Sequence, residues 1–506
     1  MTAAPLPQLT SEYMRTMYPP YLELIQAQVF FRHGERSPIK MRLFPEKDWP
    51  FCERSNYLHS EFMKAIGRFV PKEEPMPVPD ADRMMKGVDG DSTKFTRRTG
   101  TMKTGLEYEP AKWTVRLGPT GMDTGDDGEN TSGDPRMCNA GQLTDVGLQS
   151  LERVGRHLRD LYVDKLGILP RNIGAKPSDW LYVRATDYSR VLQSTFALLT
   201  GLYPRNPGES KPTFDGKFLK QFPIHSRMHQ HETMHGNYAC YNFIKQYVDP
   251  STAEARRLRW IDDVYRQVSG LKSIGSKAKT IMDTPRFASS FHPVYDELQS
   301  LIAHGVPLPA DVSPDLLASL GRVSYYQWTS PVQYLQSQRL GFGRLVSDVI
   351  KTMAQAVEYT SKAANSQKMQ IGIQRKGDLL VSADGGIREE TPDEIPLVPK
   401  LALYGGHDIT VGPLAVIMGN KSLEWLPFAS ALTFELFKDK NDGNHYVRTR
   451  LNDKLLQVVT CEPFGKHHPE MGSSMCTLEA FFEHVKPIIA TEEEFKAECG
   501  NFPSPE

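Results

Sequence analysis

Little in this sequence is extreme, and each shortage closes off a class of function. Cysteine is scarce, with six residues in 506 (Cys52, Cys138, Cys240, Cys461, Cys476 and Cys499). That is too few and too scattered to be the main staple of so long a chain. Free thiols are expected, although the even count and the 15-residue separation of Cys461 and Cys476 leave room for a disulfide. Long apolar runs are missing too: no stretch approaches the ~18 residues a membrane-crossing helix needs. Pro5, Pro7, Pro19 and Pro20 interrupt the opening Met1 to Tyr21, so no export signal is legible and an intracellular, cytoplasmic location is expected. Charge imbalance is also lacking. A formal net charge of -1 gives no whole-molecule field that would draw nucleic acid or an anionic membrane, so no nucleic-acid partner is expected. There is no internal repeat, and nothing in the sequence fixes an oligomeric state.

What the chain does have is 39% apolar and 24% charged residues, the proportions of a soluble globular protein. Residues 24–31 (L-I-Q-A-Q-V-F-F) form a short apolar run that ends abruptly in charge and glycine, as a buried strand of a parallel sheet does. Asp179 to Arg184 and Lys400 to Tyr404 have the same form. Open α/β sheets bind ligands beyond the carboxyl ends of such strands. Thr144 is placed to cap a helix in which Leu151, Val154, Leu158 and Leu161 recur at three and four residues. Ala253 to Val268, Val294 to Ala303 and Asp315 to Ser319 carry helical patterns, and a long amphipathic helix runs through Leu345, Val349, Ile350, Met353 and Val357. Leu432 to Phe437 and His445 to Leu451, joined through N-D-G-N, predict a hairpin.

These elements predict an α/β fold: a three-layer sandwich with a mainly parallel central sheet flanked by helices, plus an inserted, mainly helical cap subdomain. The core is expected over 1–205 and 341–506, with a loop-rich insertion at about 41–140, and the cap over 206–340.

The strand ends hold the chemistry. Arg32-His33-Gly34-Glu35-Arg36-Ser37-Pro38 crowds two guanidiniums and an imidazole together, which costs free energy unless an anion lies between them. Neutral His33 suits a nucleophile for phosphoryl transfer, since its lone pair needs no base. Arg32 and Arg36 suit the phosphoryl oxygens, and Gly34 would let the backbone turn tightly beside the phosphate and add N–H donors. Gly405-Gly406-His407-Asp408 follows another strand, with His407 a further donor to phosphate and Asp408 a general acid for the leaving oxygen. In Arg184-Ala185-Thr186-Asp187-Tyr188-Ser189-Arg190, Arg190 starts a helical pattern and can point back over the same sheet edge.

Together these stretches resemble the histidine acid phosphatases, branch 2 of the histidine phosphatase superfamily. Its R-H-G-x-R-x-P signature is Arg32 to Pro38 here and its H-D pair is His407-Asp408. Q-L-T-x-x-G (Gln142 to Gly147) and R-x-T-D-x-x-R (Arg184 to Arg190), followed by Gly201 to Pro204, are similar as well. The resemblance implies a phosphomonoester hydrolase of acid phosphatase type, working through phosphohistidine at His33. Arg32, Arg36, Arg190 and His407 would bind phosphate, Asp408 would be the proton donor, and neither cofactor nor metal is implied. The phosphoglycerate-mutase branch fits less well, because its signature lacks the second arginine and the H-D pair. The insertion before Gln142, Trp425 to Phe428 leading to Leu432 to Leu436, and the Cys461 and Cys476 pair look like lysophosphatidic-acid-phosphatase-like members. The expected partner is a small-molecule phosphate monoester, lysophosphatidic acid among the candidates.

A rival reading exists. His231-Glu232-Thr233-Met234-His235 matches H-E-x-x-H, which on a helix would bind zinc as a metallopeptidase or a structural metal site. His225, His229 and Cys240 stand nearby. Gly236-Asn237 follows at once and Pro223 precedes closely, so a long helix is not expected and polar loop histidines at the cap rim fit better. His467-His468 between Cys461 and Cys476 lacks the short ligand spacing of common zinc sites.

Overall fold

A computed structural model of the chain describes residues 3–66, 134–173, 177–204, 224–227, 232–235, 240–243, 259–283, 291–369, 379–381, 387–389 and 398–500. Most of the Gly- and Pro-rich insertion, along with His229 and His231, lies outside these residues.

A mixed eight-stranded sheet organises the molecule. Its strands are β1 (Leu22–Arg32), β2 (Leu181–Ala185), β3 (Leu401–Gly406), β4 (Ala431–Asp439), β5 (His445–Leu451), β6 (Lys454–Leu455), β7 (His467–His468) and β8 (Gly472–Thr477). The order is β2-β3-β1-β4-β5-β8-β7, with β6 paired to β5. The three strands expected from apolar runs that stop at polar residues or glycine are those that run parallel. Ala27 to Arg32 of β1 pair with Leu401 to Gly406 of β3, and Leu181 to Ala185 of β2 pair with Leu401 to Gly405. The β4-β5 hairpin adds antiparallel strands, and Gly443 supplies the left-handed residue its turn requires (φ 76°).

β1 is buried on both faces, which is why its sequence is a near-continuous apolar run rather than an alternation. Val29 and Phe31 face helices Asp145–Leu158 and Ser189–Leu202, whereas Phe30 joins Tyr404, Leu345, Val349 and Val411 on the other side. The period-two side-chain direction of one strand thus builds the three layers. Thr144 caps its helix as expected, its Oγ1 accepting from Gly147 N–H. That helix runs on into a π-helical turn, Arg159–Lys165, which carries Leu161 and Tyr162 into the core.

In the tract expected to form the cap, helices Arg259–Ser269, Gly275–Met282, His292–Ala303 and Pro314–Thr329 pack around a core of their own, including Val264, Ile281, Phe291, Val294, Leu298 and Val323. The Asp315 to Ser319 pattern proves to be the first part of the fourth of these. Its later half hides polar side chains by bonding them back to the preceding turn, Ser324 to the Leu320 carbonyl and Thr329 to that of Tyr325, which obscures the apolar period.

The cysteines overturn the expectation of free thiols. Cys52–Cys138, Cys240–Cys499 and Cys461–Cys476 are all disulfides. Two of the pairs join residues 86 and 259 positions apart, so their pairing was invisible to local spacing.

Candidate active site

The parallel register brings the last residues of β1, β2 and β3 to one edge. His33 N–H donates to the Gly406 carbonyl at 3.1 Å and Thr186 N–H to that of Gly405 at 3.1 Å, so these three chain ends are stitched together. The motifs read from the sequence meet here.

Arg32 is fully buried. Its Nη2 lies 2.9 Å from Asp408 Oδ2, its Nη1 donates to the Leu426 carbonyl at 2.5 Å, and the guanidinium sits 4.2 Å from the Phe428 ring. Arg36 is held by both oxygens of Asp296, at 3.0 and 2.6 Å. The Nε groups of Arg32 and Arg36 remain buried without a hydrogen-bond partner among the described residues. Buried charged donors left this way are costly, and an anion would satisfy them.

His33 is 2% exposed, and its Nδ1 lies 2.8 Å from the Gly34 carbonyl. A carbonyl only accepts, so Nδ1 carries the proton and Nε2 keeps the lone pair. Burial, reinforced by Arg190, Arg36 and Arg32, pushes the His33 pKa well below the usual histidine value. The ring is therefore neutral.

The role expected of Gly34 changes. Its N–H is spent on Ser194 Oγ at 3.1 Å. A Cβ at Gly34 would stand 2.4 Å from the Gly147 carbonyl oxygen, and one at Gly147 would stand 2.2 Å from that of Glu35. The glycines of the R-H-G and Q-L-T-x-x-G motifs let two backbones touch. They do not serve a tight turn around the anion.

His407 heads helix Asp408–Ile417, its N–H donating to Thr410 Oγ1 at 3.1 Å and its Nε2 lying 2.9 Å from Thr186 Oγ1. Its ring stands edge-on to His33, centroids 5.4 Å apart. Burial and the surrounding His235, Arg190, His33 and Arg36 hold its pKa well below the usual value. Burial pushes the Asp408 carboxyl up, but Arg32, then His292 and Arg36, outweigh it and leave the pKa lowered. Arg190 lies with its guanidinium 4.7 Å from the Tyr188 ring, and its charge acts on both histidines. All six residues singled out from the sequence, Arg32, His33, Arg36, Arg190, His407 and Asp408, thus share one site.

Sequence reasoning gave Asp296, Thr186 and His235 no part in this site. Thr186 stood inside a quoted motif without a role. Asp296 comes from helix His292–Ala303, far along the chain, and no local pattern marks it.

The zinc reading fails on the partners of its own residues. Residues 232–235 are not helical. Glu232 is ion-paired with Arg184 and accepts from Met234 N–H at 2.7 Å, so it is not available as a base. Cys240 is in a disulfide, His467 Nδ1 lies 2.7 Å from the Cys461 carbonyl, and His468 Nε2 lies 3.0 Å from Asp439. Nor is His235 a rim residue: it is 3% exposed and packed on His407. Among the described residues no cluster of three or more His, Cys, Asp or Glu could hold a metal ion.

The chain as a whole is similar to known proteins. The family model for the histidine phosphatase superfamily (branch 2) matches residues 23–271 and 285–452. The chain is 24% identical over 490 residues to 2-phosphoxylose phosphatase 1 of Rattus norvegicus, covering 95% of this chain and 81% of that protein. It is 23% identical over 483 residues to lysophosphatidic acid phosphatase type 6 of Mus musculus, covering 94% and 88% respectively. Among solved structures, Hafnia alvei phytase in complex with tartrate superposes with a TM-score of 0.51 at 15% identity, over 95% of this chain and 99% of that one.

Proposed function

Since the chain belongs to branch 2 of the histidine phosphatase superfamily and is a phosphoric monoester hydrolase, we propose that it works by a two-step transfer through His33. Nε2 of His33 attacks phosphorus in line as Arg32, Arg36, Arg190 and His407 hold the equatorial oxygens. The bond to the alcohol oxygen breaks, and Asp408 gives that oxygen its proton. Water then attacks the phosphohistidine and yields its proton to Asp408 as the P–N bond breaks. The observation carrying this reading is the Arg32 guanidinium, which touches Asp408 at 2.9 Å while its buried Nε has no hydrogen-bond partner among the described residues.

Arg32 poses a problem that the substrate itself relieves. In the free site it holds Asp408 ionised, which is the wrong state for an acid. A phosphate dianion competes for Arg32 and repels the carboxylate, and both effects raise the pKa of Asp408 in the complex.

The substrate is a small phosphate monoester. A sugar phosphate, in the manner named for the rat relative, and a lysophospholipid, in the manner named for the mouse relative, are the two classes to compare. Three disulfides favour an oxidising compartment over the cytoplasm expected from the sequence. Among the described residues no helix is long and apolar enough to cross a membrane. The test is phosphate release from p-nitrophenyl phosphate with chelator in one arm and vanadate in another. Insensitivity to chelator together with block by vanadate supports the proposal, and loss of release with chelator contradicts it.

A further inference from the structure

The H-E-x-x-H stretch has a place that the zinc reading did not give it. Glu232 and Thr233 are tied to Arg184, the latter at 3.0 Å, and Arg184 is also 3.6 Å from Asp348. Glu232 also receives Met234 N–H, and the Met234 carbonyl receives Thr410 Oγ1 at 2.6 Å. Thr410 Oγ1 is the same atom that accepts from His407 N–H. A buried ion pair at the end of β2 therefore fastens the segment 232–235 to the turn that carries His407 and Asp408. The product of this fastening is His235. Its ring stacks on Tyr188 with centroids 5.2 Å apart and lies 4.4 Å from the His407 ring, tilted by 54°.

We propose that His235 is a positioning residue of the phosphate site, fixing the His407 ring in place and sharing with it no more than one positive charge. The proposal rests on the phosphatase reading above. Its physical basis is the surroundings of His407: His33 and Arg36 come from the loop after β1, Thr186 and Tyr188 from the turn after β2, Arg190 from the first turn of helix Ser189–Leu202, and His235 from the fastened segment, with Asp408 following in the chain. Two imidazolium rings at this separation, among arginines, cannot both be charged. The pair therefore holds His407 neutral until an anion arrives, and phosphate binding is accompanied by proton uptake.

Removing the neighbouring ring nitrogen charge lets His407 protonate at higher pH. Phosphate affinity, favoured by protonated His407, then persists to higher pH. The experiment measures inhibition of p-nitrophenyl phosphate hydrolysis by inorganic phosphate across pH, in wild type, His235→Phe and His235→Gln. The expected result is an upward move of about one unit in the pH midpoint of the inhibition constant in both variants, together with a lowered kcat on the acid plateau, because the His407 ring is no longer held. A side chain that only fills space would change kcat or KM without moving the midpoint, and that result overturns the proposal. Should the phenylalanine variant fail to fold by thermal melting, the glutamine variant decides. A wild type that does not bind phosphate at all would instead defeat the phosphatase reading, before any variant is compared.

Discussion

Asp296 holds Arg36 through both carboxylate oxygens, at 2.6 and 3.0 Å, across 260 residues of sequence. The pair fixes the guanidinium in orientation and offsets part of its charge, so the cage can assemble before the anion enters. Asp296 also accepts from Ile39 N–H at 3.2 Å and so pins the loop after the R-H-G-E-R stretch. Burial pushes its carboxyl up, and Arg36 outweighs that to leave it ionised. The helix that carries Asp296 is the link between the cap tract and the chemistry.

Replacing Asp296 by Ala frees Arg36 to rotate. Steady-state kinetics on p-nitrophenyl phosphate are expected to show kcat/KM lowered by one to two orders of magnitude, a loss of about 1.4 to 2.8 kcal/mol of transition-state stabilisation. Unchanged kcat/KM would mean that Arg36 is oriented by something else.

Asp408→Asn separates acid catalysis from phosphate binding. Alkyl phosphates, whose alkoxide must be protonated as it leaves, should lose about 10²- to 10⁴-fold in kcat, and p-nitrophenyl phosphate, whose phenolate leaves unaided, less than about tenfold. Equal losses on both substrates would remove Asp408 from the acid role.

The pH profile follows from two depressed pKa values. His33 stays neutral, and so nucleophilic, far into the acid range because burial and three arginines disfavour its charged form. Asp408 is held ionised by Arg32 and must regain a proton to serve as the acid. Because bound phosphate raises the Asp408 pKa, hydrolysis of alkyl phosphates is expected to rise as pH falls from neutrality into the acid range. A kcat that rises toward alkaline pH would contradict this.

Glu435 is the electrostatic keystone of the sheet. Fully buried, it accepts from Arg448, Arg450 and Tyr18, the last at 2.6 Å. Burial pushes its carboxyl up, but the two arginines overcome this and bring it down from 4.5 to about 2. A folded pKa below the unfolded one stabilises above the unfolded value. The contribution is full above pH 4.5 and is lost as pH falls toward 2. Glu435→Gln should cost about 3 to 5 kcal/mol at neutral pH by leaving guanidinium charge buried without a counterion. Thermal melts of the variant should also lose less than wild type between pH 4.5 and 3. A variant as stable as wild type at pH 7 would show the network to be dispensable.

Much of this site was legible in the sequence because its core comes from strand ends, where an apolar run stops at charge and glycine. Arg32, His33, Arg36, His407 and Asp408 each sit within a few residues of such a stop, and Arg190 heads a helix after another. What was hidden lies where no local rule reaches. The period of Val294, Leu298 and Leu301 predicts their helix, yet nothing within it says that Asp296 will meet an arginine from the first strand. Gly34 was read for its conformational freedom, whereas its lack of a side chain matters for the contact with Gly147. Along the chain the His231 to His235 stretch shows only a motif. What places His235 is an ion pair between Glu232 and Arg184, a partner that spacing alone cannot name.

The proposed intermediate is a phosphoryl group on one imidazole. It is tested most directly by mixing the enzyme with a ³²P-labelled monoester, quenching within the first turnovers under alkaline denaturing conditions, and mapping the label by peptide mass spectrometry. An acid-labile, alkali-stable phosphate is expected on His33, accumulating further in Asp408→Asn with p-nitrophenyl phosphate and absent in His33→Ala. Label on another residue, or undiminished turnover by His33→Ala, would contradict it.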